Sequence, residues 1–523
     1  MQRRDHHVVV IGAGMGGLTS ALLLACQGLR VTVLERADTP GGKMRQLIIN
    51  GAPIDSGPTV FTMRWILEHI FEAAGTRLDT ALRLTPLEVL ARHAWNSPET
   101  LDLYADLQRS TDAISAFAGP PEAKRFLSFC AEAKRVYHAL EGPYIRSERP
   151  TLTSLGMGLG PRGLAVLARL GPFSTLWHAL GKHFRDPRLQ QLYGRYATYC
   201  GSSPFHAPAT LMLIAQVEMD GVWSVNGGMH AVAKAVANLA AQRGADIRYA
   251  AHCEEILVRG GRAAGVRLNN GEIIEADSII FNGDASALAQ GLLGASARKA
   301  VAVMPASTRS LSAITWSINA KSSGFPLSRH NVFFDDDYAS EFRDIFEHHR
   351  LPHQPTVYVC AQDRDTDKKI NSEHAERLLC LINAPAIGDG KNFDLAEIKK
   401  CEQNMIRRLA RSGLTIDQQP SNTQLTTPAD FHRLFPGTGG ALYGMASHGW
   451  MASFKRPSST SQIPGLYLAG GSVHPGPGVP MAAMSGQLAA VTLMDHLDST
   501  SRFRRVVISG GMSTPSATMG NME

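Results

Sequence analysis

Three glycines and one acidic residue near the start of the chain have types and spacings that suit the binding of a dinucleotide. Gly12, Gly14 and Gly17 follow an apolar run at residues 8–11, and Glu35 comes 18 residues after Gly17. In such a unit the first glycine permits a tight turn, the second lets the backbone approach a pyrophosphate, and the third lets a helix pack on a strand. The carboxylate accepts hydrogen bonds from ribose hydroxyls and repels a 2′-phosphate, which argues against NADP.

Two strands and a helix must position these residues. The β-branched run at 8–11 predicts the first strand, and the apolar run at 31–34 predicts the second. Between them, apolar residues recur at the i, i+3, i+4 and i+7 spacing of one helix stripe, at Leu18, Ala21, Leu22 and Ala25. The N-terminus of this helix presents free N–H groups and a partial positive charge to the pyrophosphate.

The same stretch has an alternative interpretation as a secretory signal. Arg3 and Arg4 precede a mostly apolar segment, which superficially matches the charged and hydrophobic regions of a signal peptide. The glycines within the apolar segment and its β-branched start favour the Rossmann unit instead.

Length and composition describe a globular protein with room for two or more large cores. The chain has 523 residues, of which 44% are hydrophobic and 19% charged, and no apolar run reaches the ~18 residues that span a bilayer. The net charge of +6 is diffuse, which predicts no nucleic-acid partner and suits either an anionic membrane surface or ordinary solvated charge. Seven cysteines without C-x-x-C and 19 histidines without H-E-x-x-H indicate a reducing cytoplasm and no metal site.

Two segments after the second strand narrow the class of cofactor. Gly41 and Gly42 precede Lys43, and residues 54–59 read Ile-Asp-Ser-Gly-Pro-Thr. Both segments resemble motifs of FAD-dependent amine oxidases and carotenoid desaturases, and NAD dehydrogenases lack the first. The resemblance implies that the glycine pair and Lys43 lie along the phosphates and ring of FAD, and that the second turn approaches the flavin. The alternative for the first segment is a plain Pro-Gly loop.

Residues 465–480 supply the matching motif near the other end of the chain. A short apolar strand runs into a glycine-rich loop, and a helix is predicted at 481–497, just after Pro480. Its dipole suits the pyrimidine edge of a flavin, where negative charge accumulates on reduction. The segment resembles the terminal motif of carotenoid desaturases, including His474-Pro-Gly, and would form the second half of a discontinuous FAD site.

Two middle segments bear on the substrate. Residues 195–212, which include Tyr-Cys-Gly-Ser-Ser-Pro-Phe, resemble the carotenoid desaturases that act on 1-hydroxylated acyclic carotenoids. Tyr196 and Tyr199 would line an apolar tunnel or belong to the core. Leucines between 155 and 180, flanked by basic residues, suit short helices in a membrane interface or helices packed on their own domain.

The order of elements predicts an α/β fold. It comprises an FAD-binding Rossmann-type domain, like that of glutathione reductase, and a discontinuous substrate domain of mixed sheet and helices. The predicted FAD-binding domain comprises residues 1–90, 226–295 and 460–498. Residues 91–225 and 296–459 are assigned to a substrate and membrane-associating domain, and 499–523 to a disordered tail.

The resemblance implies a set of residues at the cofactor, with the backbone at Cys253 against the adenine. These residues are Gly12, Gly14, Met15, Gly17, Glu35, Arg36, Gly42, Lys43, Met44, Pro58, Thr59, Cys253, Gly470, Gly471, Gly478, Val479 and Pro480. No acid or base has a spacing that identifies it as catalytic. Asp220, Asp55 and His474 are the candidates, and a structural role is the alternative for each.

The resemblance extends from about residue 7 to 498 and implies a reaction. It predicts a 1-hydroxycarotenoid 3,4-desaturase, which introduces a C3–C4 double bond into acyclic 1-hydroxy or 1-methoxy carotenoids by hydride transfer to FAD and loss of a proton. Phytoene desaturase, an FAD-dependent carotenoid isomerase and a non-catalytic prenyl-binding protein of the GDI type are the alternatives. We expect a cytoplasmic protein attached peripherally to the inner or photosynthetic membrane.

Overall fold

The computed structural model describes residues 5–504, except 97–98, 172, 365–373 and 391. The strands are β1 His7–Ile11, β2 Arg30–Leu34, β3 Gln46–Ile49, β4 Ala52–Asp55, β5 Leu84–Pro86, β6 Val89–Ala94, β7 Thr100–Tyr104, β8 Trp223–Val225, β9 Asp246–Arg248, β10 Cys253–Arg259, β11 Arg262–Leu268, β12 Ile273–Glu275, β13 Ser278–Phe281, β14 Ser312–Ala320, β15 Ser322–Ser323, β16 His330–Phe333, β17 Val357–Ala361, β18 Glu376–Ala384, β19 Thr415–Ile416, β20 Thr423–Thr426 and β21 Leu466–Leu468.

The α-helices lie between and after these strands, and six of those that the structure describes follow one another between β7 and β8. They are α1 Met15–Cys26, α2 Arg64–Ala73, α3 Leu78–Ala81, α4 Leu107–Ala118, α5 Pro120–Leu140, α6 Leu152–Leu170, α7 Leu176–His183, α8 Pro187–Gly194, α9 Leu213–Met219, α10 His230–Gln242, α11 Ala285–Ala289, α12 Tyr338–Phe346, α13 Leu395–Arg411, α14 Pro428–Leu434 and α15 Val479–Arg504. A π-helical turn at Glu141–Ile145 and 3₁₀ turns at Arg195–Cys200 and Ala209–Met212 lie among them. None of the helices within the described ranges is both long enough and apolar enough to cross a bilayer.

A five-stranded parallel sheet carries the N-terminal glycine motif. Its order is β21-β13-β1-β2-β9, so β1 pairs with β13 on one side and β2 on the other. Val8 and Val10 face a core shared with α1, α10 and α15, whereas Val9 and Ile11 face the β10–β12 meander and α11. Burial on both faces explains why β1 is a continuous apolar run rather than an alternating one.

The two ends of the chain meet at this sheet. Strand β21 pairs with β13, and α15 packs across α1. At the crossing, a Cβ on Gly486 would lie 2.1 Å from the carbonyl oxygen of Gly16, and a Cβ on Gly16 would lie 2.7 Å from the nitrogen of Gly470. Only glycine at these positions lets the backbones approach this closely.

A seven-stranded mixed sheet forms the other half of the protein, in the order β20-β14-β18-β17-β16-β6-β7. Strands β14 and β18 pair antiparallel over nine residues, and one face of the sheet packs on α13. On β18, Leu378, Cys380 and Ile382 belong to that core. The alternation of side chains along a strand therefore turns the intervening residues to the opposite face.

Several sequence-based boundaries differ from the structure. The predicted domain limit at residue 90 falls inside β6, whose partner β16 lies more than 200 residues later, a pairing that local patterns do not reveal. The residue pattern from about 60 to 225 predicts mostly helices, but this interval also contains the strands β5, β6, β7 and β8. The final helix continues to Arg504, so residues 499–504 are not a tail, because neither glycine nor proline occurs between residue 499 and Gly510. The rest of the predicted tail, 505–523, lies outside the described residues.

We expect Gly486→Ala to destabilise the protein by about 1–3 kcal/mol, because the added methyl group meets backbone that cannot rotate away. Urea unfolding of the full-length protein measures this change. Gly156→Ala is the matched control: it lies in α6 with nothing within 4 Å of the position that its Cβ would take, and it should be neutral or slightly stabilising. If Gly486→Ala and Gly156→Ala had equal free energies of unfolding, the close contact between α15 and α1 at Gly486 would be contradicted.

Candidate functional site

The glycine turn after β1 is shaped by close backbone contacts. Gly12 has φ +98°, and a Cβ on Gly17 would lie 2.1 Å from the carbonyl oxygen of Gly12. Helix α1 begins at Met15 without a side-chain cap and without an acidic residue in its first turn. Its free N–H groups therefore remain available to an anion. Gly12, Gly14 and Met15 line the adjoining cavity, whereas Gly17 lies behind them as a packing residue.

Asn282 completes this turn and was not among the predicted site residues. It follows β13, donates its side-chain amide to the carbonyl oxygen of Gly12 at 3.2 Å, and lines the cavity. A Cβ on Gly14 would lie 2.7 Å from the Asn282 amide nitrogen. The available signal was its position just after the apolar run at residues 279–281, because α/β sheets bind their ligands at the carboxyl ends of strands.

Glu35 lies in the cavity wall with both carboxylate oxygens engaged. One oxygen accepts from the backbone N–H of Ala13 at 2.7 Å and the other from that of Ala37 at 2.9 Å. Each oxygen retains a lone pair that can accept from a ribose hydroxyl. The neighbouring Arg36 also lines the cavity, but its guanidinium donates to the carbonyls of Arg433 and Leu434.

The segment after Glu35 runs along the same cavity. Gly41 donates its N–H to the carbonyl of Ala13 at 2.8 Å, which holds the segment against the glycine turn. Gly42, Lys43 and Met44 line the cavity. The Lys43 ammonium donates to the carbonyl of Leu442 at 2.7 Å, and burial lowers its pKa.

The C-terminal loop closes the site from the opposite side. Gly470, Gly471, Gly478, Val479 and Pro480 all line the cavity, and α15 starts at Val479 with its N-terminus at this wall.

The buried Arg456 braces this loop, and sequence reasoning did not identify it. Its guanidinium donates to the carbonyls of Met445 at 2.6 Å and Tyr443 at 3.1 Å, with Gly471 at 3.5 Å. Arg456 also lines the cavity.

The remaining predicted cofactor residues lie at the same cavity. Pro58 and Thr59 line it from the turn after β4, and Cys253 lines it from the start of β10. Burial raises the pKa of the Cys253 thiol to about 12, so the side chain stays neutral. Within the described residues, no group of three or more His, Cys, Asp or Glu side chains could hold a metal ion.

The three catalytic candidates do not line the cavity. Asp55 accepts from the backbone N–H of Met229 at 2.5 Å and of His230 at 3.4 Å, so it anchors the start of α10. Asp220 is exposed and accepts from Gln216 at 2.6 Å. A carboxylate buried against backbone donors, or one held at the surface, has no access to a substrate in the cavity.

His474 is likewise a structural residue. Its ring is buried and hydrogen-bonds through Nε2 to the carbonyl of Tyr144 at 3.0 Å. Burial lowers its pKa to about 4, so the ring is neutral at physiological pH. The following Pro475, rather than His474, lines the cavity.

The cavity continues beyond these turns into an apolar region and has a volume of about 680 Å³. One wall is the seven-stranded sheet, where Leu379 and Leu381 alternate with the core-facing residues of β18. Helix α9 and the neighbouring segments supply the opposite wall, with Val60, Ile145, Leu211, Ile214 and Val217. Tyr199 lies in this wall, whereas Tyr196 belongs to the core.

Comparison with known proteins identifies the class of protein. Residues 15–494 match the family described as flavin containing amine oxidoreductase. The chain is 66% identical over 520 residues to hydroxyneurosporene desaturase of Rubrivivax gelatinosus, covering 99% of both chains. It is 45% identical over 497 residues to hydroxyneurosporene desaturase of Cereibacter sphaeroides, covering 95% of this chain and 99% of the relative.

A solved structure of putrescine oxidase bound to putrescine shares the fold, with a TM-score of 0.58, 16% identity and coverage of 94% of this chain and 99% of that one. The chain therefore belongs to the flavin-containing amine oxidoreductase family, and within it to the carotenoid desaturases. Its cofactor is FAD, and the α/β FAD-binding fold expected from the sequence is confirmed.

The residues of the cavity fit this cofactor. A Cβ on Gly471 or Gly478 would meet no protein atom closer than 3.6 Å, and both residues line the cavity, so their missing side chains leave room for a ligand. The N-termini of α1 and α15 and the Glu35 carboxylate supply donors and acceptors suited to a pyrophosphate, a flavin edge and a ribose. A buried oxygen of Asp284, also at the cavity, has no hydrogen-bond partner among the residues that the structure describes.

We expect Glu35→Gln to weaken FAD binding about tenfold to hundredfold, because one charge-assisted acceptor is lost and the new NH₂ group faces a backbone N–H. Titration of the apoprotein with FAD, followed by flavin fluorescence, measures the dissociation constant. Glu254→Gln makes the same chemical change at an exposed position of β10 and should leave the constant unchanged. An unaltered constant in Glu35→Gln would be inconsistent with contact between Glu35 and the ribose.

Proposed function

We propose that the chain is an FAD-dependent desaturase that introduces the C3–C4 double bond into acyclic carotenoids carrying a hydroxyl or methoxy group at C1. The observation that carries this proposal is the continuous cavity, which joins the glycine-lined turns of both chain ends to a long apolar region. Identity of 66% and 45% to two proteins named hydroxyneurosporene desaturase supports this choice of substrate.

The chemistry requires positioning more than acid or base assistance. Loss of hydride from an allylic carbon leaves a cation that the polyene delocalises, so no strong protein electrophile is needed. The adjacent carbon then loses a proton to solvent, and its C–H electron pair completes the C3–C4 double bond. FAD, when bound, supplies the hydride acceptor. Leu211, Ile214 and Val217 in one wall and Leu379 and Leu381 in the other exclude water and orient the chain. In this mechanism FAD accepts the hydride and the apolar residues position the substrate. It does not require Asp55, Asp220 or His474, none of which lines the cavity.

The test uses purified flavin-containing protein with a carotenoid incorporated into liposomes. A 1-hydroxy acyclic carotenoid should yield a product two mass units lighter with a red-shifted absorption spectrum, because one double bond joins the conjugated system. Phytoene serves as the parallel substrate. Conversion of phytoene alone would support a phytoene desaturase, and a product of unchanged mass would support an isomerase; either result would overturn the proposal.

We propose, in addition, that the protein lies at the cytoplasmic face of the inner or photosynthetic membrane. The argument rests on an apolar patch, which we define as the exposed Met157 and Leu164 of α6 together with Phe173 and Trp450, whose rings lie 5.8 Å apart. These side chains are 76%, 49%, 77% and 42% exposed, in that order. Helix α6, which carries the first two, is kinked at Gly160 and packs against the turns at 141–145 and 209–212. Both turns contribute residues to the apolar cavity, so the apolar patch adjoins the part of the cavity that suits a membrane-dissolved substrate.

Replacement of two residues of the apolar patch, Met157→Ser with Phe173→Ser, should lower the partition coefficient onto phosphatidylglycerol and phosphatidylcholine vesicles at least about tenfold, because each side chain transfers apolar area into the bilayer. Sedimentation of the protein with vesicles measures this coefficient. Leu395→Ser is the matched control, since Leu395 is 76% exposed at the start of α13. If Leu395→Ser lowered vesicle binding as much as the double variant does, the apolar patch would not be the membrane contact.

A further inference from the structure

Two opposite charges lie in the wall of the apolar part of the cavity. Arg195, in the 3₁₀ turn at 195–200, and Glu218, in α9, both line it. Glu218 is only 7% exposed. Because hydrophobic side chains could fill such positions without the cost of removing charges from water, the pair calls for an explanation beyond stability.

The Glu218 carboxylate is held by two phenols and can still accept further hydrogen bonds. Tyr196 donates to one oxygen and Tyr199 to the other, each at 2.5 Å. Burial raises the pKa of both phenols, so both remain protonated donors. A carboxylate offers about four lone-pair sites, and the two phenols use one on each oxygen. Because Glu218 lines the cavity, its remaining lone pairs can accept a hydrogen bond from a ligand there.

The Arg195 guanidinium lies near two aromatic rings of the same wall. Its central carbon is 5.3 Å from the ring centre of Tyr199 and 5.6 Å from that of Tyr358. Although burial opposes it, the pKa of Arg195 is raised, because Tyr199 and Glu218 lie beside the guanidinium. The cavity therefore presents a permanent donor, Arg195, next to a strong acceptor, Glu218.

This polar cluster of Arg195, Tyr196, Tyr199, Glu218 and Tyr358 connects directly to the cofactor end. The Tyr358 hydroxyl hydrogen-bonds Thr59 at 2.7 Å and His330 at 2.7 Å. Thr59 belongs to the turn after β4 that lines the cavity beside the FAD-binding glycines. A single hydrogen bond, from Tyr358 to Thr59, therefore joins the polar cluster to this turn. The resemblance places the same turn near the flavin.

The proposed substrate carries its only polar group, the oxygen on C1, close to the carbons that react. The oxygen on C1 is separated from C3 by three bonds of about 1.5 Å, which keeps it within about 4.5 Å of that carbon. A substrate whose C3–C4 bond lies at the flavin must therefore place its oxygen close to the reacting centre, although the rest of the molecule is hydrocarbon.

We propose that Arg195 and Glu218 form the binding site for the C1 oxygen of the substrate, with Arg195 donating a hydrogen bond to that oxygen and Glu218 accepting a hydrogen bond from a 1-hydroxyl. The inference rests on the proposed desaturase function and adds to it the residues that read the C1 substituent. A 1-methoxy group accepts from Arg195 but has no proton to donate. Glu218 therefore separates hydroxyl from methoxy substrates, and Arg195 separates both from the unsubstituted hydrocarbon.

The experiment compares kcat/KM for a 1-hydroxy acyclic carotenoid and for its methyl ether, in wild-type enzyme and in Glu218→Gln. We expect the hydroxy-to-methoxy ratio of kcat/KM to fall about tenfold to hundredfold in the variant. The glutamine side chain offers one uncharged acceptor oxygen, for which the two phenols compete, so the hydrogen bond from the substrate hydroxyl is weakened and only the hydroxy substrate is affected. Glu347→Gln, at an exposed position after α12, is the matched control and should keep the wild-type ratio. Flavin content and melting temperature establish that each variant is folded.

Glu218→Asp is the second variant, because it keeps the charge that faces Arg195 and withdraws the carboxylate by one methylene. It should also lower the hydroxy-to-methoxy ratio of kcat/KM. This variant keeps the inference testable if Glu218→Gln loses its flavin. An equal fall for both substrates in either folded variant would assign Glu218 a purely structural role and overturn the inference. Failure of the wild-type enzyme to desaturate either substrate would instead contradict the proposed function, so the two failures are distinguishable.

Discussion

The backbone contact between Gly16 of α1 and Gly486 of α15 is the constraint on which the rest of the structure depends. It allows the last helix to lie directly against the first, while β21 extends the sheet that β1 begins. Each end of the chain then contributes a helix N-terminus and a glycine turn to one cavity. Neither end holds a complete site, because the donors for the pyrophosphate and for the flavin edge come from segments more than 450 residues apart.

The intervening chain builds the apolar part of the same cavity on the seven-stranded sheet. Side chains alternate along β18, so one face of the strand forms a core with α13 while the other faces the cavity. Into this apolar wall the fold introduces Arg195 and Glu218, whose burial is compensated by phenols and aromatic rings. The result is a cavity with a dinucleotide end, a hydrocarbon end and a small charged region between them.

The sequence alone predicted the parts of the site that rest on local patterns. The glycine turn, Glu35, the segment at 41–44 and the loop at 470–480 all lie at the cavity, because turn geometry and helix N-termini leave spacings that can be recognised. Asn282, Arg456 and Glu218 were missed as site residues, since their positions depend on contacts between distant segments. The strand β6 was missed for the same reason. Asp55 takes the structural alternative that the sequence left open, because its carboxylate anchors α10 instead of facing the cavity.

The late position of β21 and α15 in the order of elements has a consequence for biosynthesis. The N-terminal β1–α1 unit leaves the ribosome first, and domains generally fold as their residues emerge. Until β21 is translated, β13 has an unpaired edge on the side that β21 will occupy, and such edges are sites of aggregation. The nascent polypeptide therefore lacks the second half of the cofactor site until α15 has been made, and the edge of β13 is open to intermolecular pairing during that interval.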